Sequence, residues 1–452
     1  MISAPTLTRT GLRVAFLAVL LVSGATLVYG ASTGLSTATA EDVPRAEPRG
    51  GHTVVTESAK YGTIIAYEPD GTLQYYNNSH TKYFDVDPVP GDRMTVEYTA
   101  TDTLHGKSAR CTDPPCARNV IERANLSTGE TDVVYARYDH RETAGEWHDA
   151  DRVDDERVLV ADIVEDQVLM VNTETEVIEW AWDAQSDFPV EGGGPYPGDW
   201  AHVNDVELLD DGRVMVSLRN QDQVVFLDRE TGMQEGWTLG SEDDYDTMYE
   251  QHNPDYIPEE RGGPAVVVAD SENARVQEFQ RVDGEWVRTW EWSDARMQWP
   301  RDADRLPNGN TLIADTNGKR VLEVNPAGEV VWEVPVSHPY DVERLETGDE
   351  SASGESARKL GLESQTAADG GERRDGGGPG VFALFVRLAK LIVPPRVANA
   401  IVYVAPTWMG RPEFAAVGVA VLTGIAWAAL ELRWRGFDRG IGLQSPFYRK
   451  DE

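Results

Sequence analysis

Four of the eight histidines in this chain stand at the starts of related segments: Trp147-His148-Asp149, Ala201-His202-Val203-Asn204-Asp205, Gln251-His252-Asn253-Pro254-Asp255 and His338-Pro339-Tyr340-Asp341. Imidazole can act as nucleophile, proton carrier or metal ligand, so several in register point to a site rather than to unrelated loop contacts. The second segment adds Asn204 and, 17 residues after His202, Arg219. A permanent guanidinium fork beside amide and imidazole donors suits an oxyanion with several equivalent oxygens. The competing chemistry is a metal centre, with three or four histidines holding zinc and leaving one position open. Asp149, Asp205 and Asp302 would then support the ligands or bind calcium themselves. Arg219 weighs against it, because a fixed cation beside a divalent ion is unfavourable unless an anion lies between them.

The elements that must position these residues are repeated. Segments of about 40 to 55 residues recur, the spacing of propeller blades. One runs from Trp147 through Val158-Leu159-Val160-Ala161-Asp162 to Trp182; the next starts at Ala201, turns at Asp210-Asp211-Gly212 and continues to Leu227. A third starts at Gln251 and a fourth at Trp299-Pro300-Arg301-Asp302, turning at Pro307-Asn308-Gly309-Asn310. Short strands of alternating polarity joined by Gly, Asn and Asp turns are antiparallel hairpins. No copy could bury both its faces alone, so the copies must pack radially. Less regular units at Thr63 to Tyr76 and Met94 to Tyr138 bring the count to six. The last segment, His338 to Val342, supplies one strand that would pair with the N-terminal strands and close the ring. The expected fold is all-β, a six-bladed β-propeller over residues 52–345, with N- and C-terminal transmembrane helices. In it the histidines would converge where the innermost strands begin, at the mouth of the central channel.

The blade Ala201-His202-Val203-Asn204-Asp205, followed by Gly212 to Gln221, resembles the core motif of the arylsulfate sulfotransferases, in which His-x-Asn precedes an Arg that follows a Ser-containing strand. Trp147-His148-Asp149 and Gln251-His252 are similar to the family's flanking motifs, and the similarity extends over roughly residues 60 to 345. The resemblance implies transfer of a sulfuryl group from an aryl sulfate to a phenolic or other hydroxyl acceptor, with no cofactor and no nucleotide donor. It further implies a transiently sulfated histidine at His252, hydrogen-bond donors at His202 and Asn204, an oxyanion clamp at Arg219, a proton shuttle at His148 and a substrate contact at His338. The family's site threonine has no counterpart here. The alternatives kept beside it are a zinc- or calcium-dependent propeller lyase or hydrolase using the same histidines, and a propeller that only presents a binding surface.

Composition limits the remaining choices. With 77 acidic against 41 basic residues the formal charge is −36, which excludes a nucleic-acid binder lacking any basic face. Acid spread along the whole chain is what a protein working in concentrated salt shows, since dense carboxylates keep a surface hydrated when screening is strong. The uncharged run Val14 to Tyr29, after Arg9 and Arg13, is expected as a retained N-terminal anchor within residues 1–31, although Ala38-Thr39-Ala40 would also serve as a signal cleavage site. A second span is expected at 414–432, with a basic cytoplasmic tail over 433–452. This places the propeller on the extracytoplasmic side of the cell membrane. Residues 346–380 read as a flexible acidic tether and 381–407 as an amphipathic segment on the membrane surface. Outside the cytoplasm Cys111 and Cys116, the two cysteines of the chain, are expected to form a loop disulfide.

Overall fold

The computed structural model describes residues 8–59, 61–140, 145–366 and 394–438. They fall into two units: residues 36–404, and a second unit made of residues up to 35 together with those from 405 onward.

The larger unit is a six-bladed β-propeller. The β-branched and aliphatic runs form the middle strands, which are buried on both faces because each blade is covered by two neighbours. Val158 to Ala161, Val214 to Val216 and Val266 to Ala269 are all fully buried. Blade one consists of Lys82–Pro88, Thr95–Leu104, Cys116–Asn125 and Thr131–Asp139. Blade two consists of Trp147–Asp149, Arg157–Asp162, Gln167–Asn172 and Val177–Asp183. Blades three, four and five begin with the inner strands Val203–Leu208, His252–Ile257 and Pro300–Arg305. Blade six is closed by both chain ends: Pro339–Arg344 is its inner strand and pairs antiparallel with Thr53–Glu57, which continues into Thr63–Tyr67 and Leu73–Asn77. This is the closure expected from the leftover segment after blade five, and it leaves no open sheet edge between first and last blade.

The core lies between blades. Leu159, Ala161, Val206, Val216 and Val225 pack at one such seam, and Trp147 and Trp200 are fully buried. Turn chemistry follows the sequence: Gly212, after Asp210-Asp211, has φ of 86°, a left-handed conformation that glycine takes without penalty. Cys111 and Cys116 are joined by a disulfide between the second and third strands of blade one.

Two expectations about the connections are corrected. The stretch expected to be a tether from residue 346 packs on the propeller as far as residue 366. Ser356 caps a short helix, Ala357–Leu360, the Ala357 N–H donates to Glu278 Oε1 at 2.7 Å, and Gln365 bridges to Trp292. Its lack of large apolar residues reflects close backbone approach rather than freedom: a Cβ on Gly354 would lie 2.0 Å from the Arg305 carbonyl. Residues 367–380 of that expectation lie outside the described residues. The segment expected on a membrane surface contains a helix, Pro395–Val404, whose polar face docks on the propeller. Asn399 Nδ2 donates to Glu272 Oε2 at 2.8 Å, Asn399 Oδ1 accepts from Gln298 at 3.0 Å, and Arg396 pairs with Glu250 at 3.0 Å. Its other face leaves Val397, Ile401 and Val404 exposed; residues 381–393 lie outside the described part.

The smaller unit contains two apolar helices, Arg9–Thr33 and Arg411–Asp438, each long and apolar enough to cross a membrane. Within the unit Arg13 pairs with Glu431 at 2.5 Å and Phe16 stacks on Trp427. The second helix includes Arg433 and Arg435, which the sequence assigned to a tail; residues 439–452 lie outside the described part.

Candidate active site

Every inner strand enters the channel through a bulge. Register shifts occur between Trp147 and Asp149, Val203 and Asp205, His252 and Asp255, and Pro300 and Asp302. Bulges re-aim side chains at a rim, and here they turn the histidines toward one another. The four do not share one register position. His148 immediately precedes a channel aspartate, whereas His202 and His338 stand three residues before one. His252 pairs with Ala269 on the rung where Asp149 and Asp302 pair with Ala161 and Ala314.

The structure brings the expected residues together. The His148 ring lies 5.0 Å from His202 and 5.5 Å from Tyr340, and stacks on Phe84 at 4.4 Å. His252 lies 6.4 Å from both Tyr340 and Trp299. His338 joins through Tyr403 of the docked helix, whose ring is 5.8 Å from His338 and 5.2 Å from Trp299. Asn204 donates to the Gln251 carbonyl at 3.0 Å, which fixes its amide and leaves Oδ1 buried without a partner.

His252 has the features of a nucleophile. Its Nδ1 lies 3.1 Å from the Glu250 carbonyl and 2.9 Å from Ser271 Oγ, and that hydroxyl donates to the Pro300 carbonyl at 2.7 Å. A carbonyl can only accept and the serine proton is already committed, so Nδ1 carries the imidazole proton. Nε2 then presents a lone pair, and it is buried with no hydrogen-bond partner. Burial, reinforced by Arg301 and Arg219, pushes the His252 pKa well below 6.5 and keeps the ring neutral.

His202 is held differently. Its Nδ1 is hydrogen-bonded to Asp199, whose second oxygen takes Arg219 Nη2 at 3.1 Å. Burial and Arg219 lower the His202 pKa while Asp199 raises it, and the net shift is downward. Although burial opposes it, His202 and Arg219 bring Asp199 well below the usual carboxylate range. His148 is neutral as well, driven down by burial and then by His202, Arg301 and Arg219.

Two participants were missed in the sequence. Asp199 belongs to the loop between blades two and three, where nothing marks one aspartate among several. Arg301 stands at the start of the fourth repeat, where the sequence alone gives it no role. Its guanidinium carbon sits 4.1 Å from the Trp299 ring centre and 5.2 Å from that of Tyr340, it is 5% exposed, and Nε has no hydrogen-bond partner. The groups acting on it are the hydroxyls of Tyr340 and Tyr403 and the charge of Arg219, with no carboxylate among them. The available signal was positional: Phe84, His148, Asn204, Arg301 and Tyr340 each immediately precede a channel aspartate.

The metal alternative does not fit this geometry. Among the described residues the group of three ligands close enough for one ion is Asp255, Asp302 and Asp304, with no histidine in it. The arrangement is therefore a buried neutral imidazole with one ring nitrogen unpartnered, a histidine–aspartate pair and two buried arginines, groups able to hold an anion.

The sequence model of the arylsulfotransferase (ASST) family matches residues 130–337, a stretch that contains His148, His202, Asn204, Arg219, His252 and Arg301. No curated protein matches the chain. Similar solved structures include a protein of unknown function from Bacteroides caccae, at 11% identity over 66% of this chain and 98% of that one, with a TM-score of 0.45. They also include the periplasmic gluconolactonase PpgL of Pseudomonas aeruginosa, at 13% identity over 65% and 98% with a TM-score of 0.41. The virginiamycin B lyase of Staphylococcus aureus matches at 8% identity over 67% and 87%, with a TM-score of 0.40.

Proposed function

We propose that this protein is a nucleotide-independent arylsulfotransferase that moves a sulfuryl group from an aryl sulfate to a hydroxyl acceptor through a sulfated His252. The observation that carries the reading is the neutral, proton-fixed His252 with Nε2 free and two arginines beside it. Nε2 attacks sulfur, an S–N bond forms, and the S–O bond to the aryl oxygen breaks with its electron pair leaving as phenolate. The acceptor hydroxyl then attacks the same sulfur, the S–N bond breaks, and its electrons return to Nε2. The transferred group spreads charge over its oxygens, and fixed cations aimed at them lower the barrier. Arg219 and Arg301 supply that charge, and Asn204 and His202 supply neighbouring hydrogen bonds.

Proton movement falls to His202 and His148. Both are neutral because burial and the arginines disfavour a second cation. An arriving anion offsets the arginines and raises both pKa values, so proton affinity appears when substrate is present. Asp199 orients His202 for this role, as a carboxylate does for a catalytic imidazole. His338 and Tyr403 border the substrate space.

The two apolar helices anchor the enzyme with the propeller on the extracytoplasmic side, an assignment supported by Arg433 and Arg435 at the end of the second helix and by the disulfide. Retention of the N-terminal helix is supported by Thr37. It lies before the alternative cleavage site and is built into the propeller unit, donating to Glu57 at 2.6 Å and accepting from Tyr76 at 2.9 Å. The formal charge of −36 supports a saline habitat. The test is transfer from a chromogenic aryl sulfate to a phenol by the purified enzyme, with His252→Ala inactive.

A further inference from the structure

The channel beyond the histidines is lined with carboxylates, because the inner strands carry Asp or Glu at alternate positions, such as Asp149 and Asp151, Asp302 and Asp304, and Asp341 and Glu343. Many of these have a structural job. Asp151 accepts from the Leu208 N–H at 2.5 Å, Glu207 from Tyr256 at 2.8 Å, Asp302 from Val342 at 3.2 Å, and Asp341 from Val86 at 2.8 Å. Each bond crosses to the next blade, so the carboxylates stitch the inner strands around the ring.

The stitching fails between blades four and five. Asp255 is bound by the Ser351 hydroxyl instead of a neighbouring inner strand. Asp304 is 2% exposed, and its Oδ2 is buried without a partner. Oxygens of Asp255, Asp302 and Asp304 lie within 4.8 Å of one another. Two arginines on the inner strands act on these carboxylates, and each is committed elsewhere: Arg305, beside Asp255, pairs with Glu278 at 3.1 Å, and Arg344, beside Asp304, pairs with Glu323 at 3.2 Å. No lysine or arginine forms an ion pair with any of the three among the described residues. Three buried carboxylates at such separation repel strongly unless a cation or protons sit between them.

We infer that Asp255, Asp302 and Asp304 form a site for a hard divalent cation of the calcium class, separate from the histidine site. All donors are oxygens, which disfavours zinc, and their spacing suits an ion with metal–oxygen distances of about 2.3–2.6 Å and flexible geometry. Water completes the coordination. An open cavity of about 660 Å³ is lined by Asp151, Glu207, Asp349 and Glu350 among others, at the ends of the inner strands away from the histidines. The ion replaces the missing stitches and locks blades four and five together beneath the site.

The test uses the full-length protein in detergent, stripped with chelator and returned to KCl at fixed high ionic strength and pH 7.5. After equilibration with CaCl2 and gel filtration, elemental analysis should find one calcium per chain. The thermal midpoint should rise saturably, by roughly 3–5 °C at a hundredfold excess over Kd. Asp304→Asn should retain no calcium and show no rise, while its metal-free midpoint should not fall, because that carboxylate accepts no hydrogen bond; if it does not fold, Asp302→Asn takes its place. The inference is overturned if wild type retains no more calcium than the variant, or if KCl of equal ionic strength gives the same midpoint. It is also overturned in its choice of ion if MgCl2 matches CaCl2 at equal concentration.

Discussion

Arg301 lies with its guanidinium carbon 4.1 Å from the centre of the Trp299 ring, a cation held against an aromatic face with no ion-pairing carboxylate among the described residues. A buried charge so placed is costly unless an anion joins it. Arg301 also heads the electrostatic influences that keep His252 neutral. In the proposed mechanism it would prepare both the nucleophile and the seat of the sulfuryl oxygens. Arg301→Gln should lower kcat/KM about 10²- to 10³-fold, the loss expected for one donor of an oxyanion site. Its thermal midpoint should not fall, since the variant removes an uncompensated charge. Steady-state kinetics and a melting curve on the same preparation check both parts.

Asp199 ties His202 to Arg219. Because Asp199 raises the His202 pKa, Asp199→Asn should lower it further and move the acidic limb of the kcat/KM profile to lower pH. The maximal rate should fall roughly 10²-fold as the imidazole loses its orientation and proton affinity. An unchanged pH profile would remove His202 from the proton path.

The helix Pro395–Val404 places Tyr403 against His338 and Trp299, and in the proposed mechanism it borders the way to buried His252. An aromatic contact of this kind is worth about 0.5–1.5 kcal/mol. Tyr403→Ala should therefore raise kcat/KM for bulky aryl sulfates by roughly two- to tenfold, measured beside a small aryl sulfate as reference.

Away from the site, His80 bridges Asp102 at 3.1 Å and Glu122 at 3.2 Å. Burial disfavours its charge, but the two carboxylates prevail and bring its pKa to about 9. A cation whose folded pKa is raised stabilises fully below the unfolded value, near 6.5, and that contribution disappears as pH climbs to about 9. Thermal midpoints measured from pH 6 to 9.5 should fall across this window, and His80→Gln should flatten the fall.

How far the sequence reaches is visible in particular residues. Blade boundaries were legible because Val158 to Asp162 and its counterparts are continuous apolar runs closed by turn residues. The ring closure followed from one surplus segment at His338. The histidines could be grouped from their recurrence, but their orientation came from bulges that pairing within a strand does not announce. Asp199 is one acid among many and acquires meaning only when the loop folds over His202. Residues 346–366 look unstructured by composition because their partners, Glu278 and Arg305, lie far away in the chain.

The most direct test of the central claim is to quench the enzyme during turnover of an aryl sulfate, digest it under alkaline conditions that preserve phosphoramidate-like bonds, and map the added mass by tandem mass spectrometry. The account predicts a sulfated imidazole on the peptide containing His252, which disappears when a phenol acceptor is added and is absent from His252→Ala. Transfer proceeding at the wild-type rate in His252→Ala, or sulfate found on a different histidine, would contradict it.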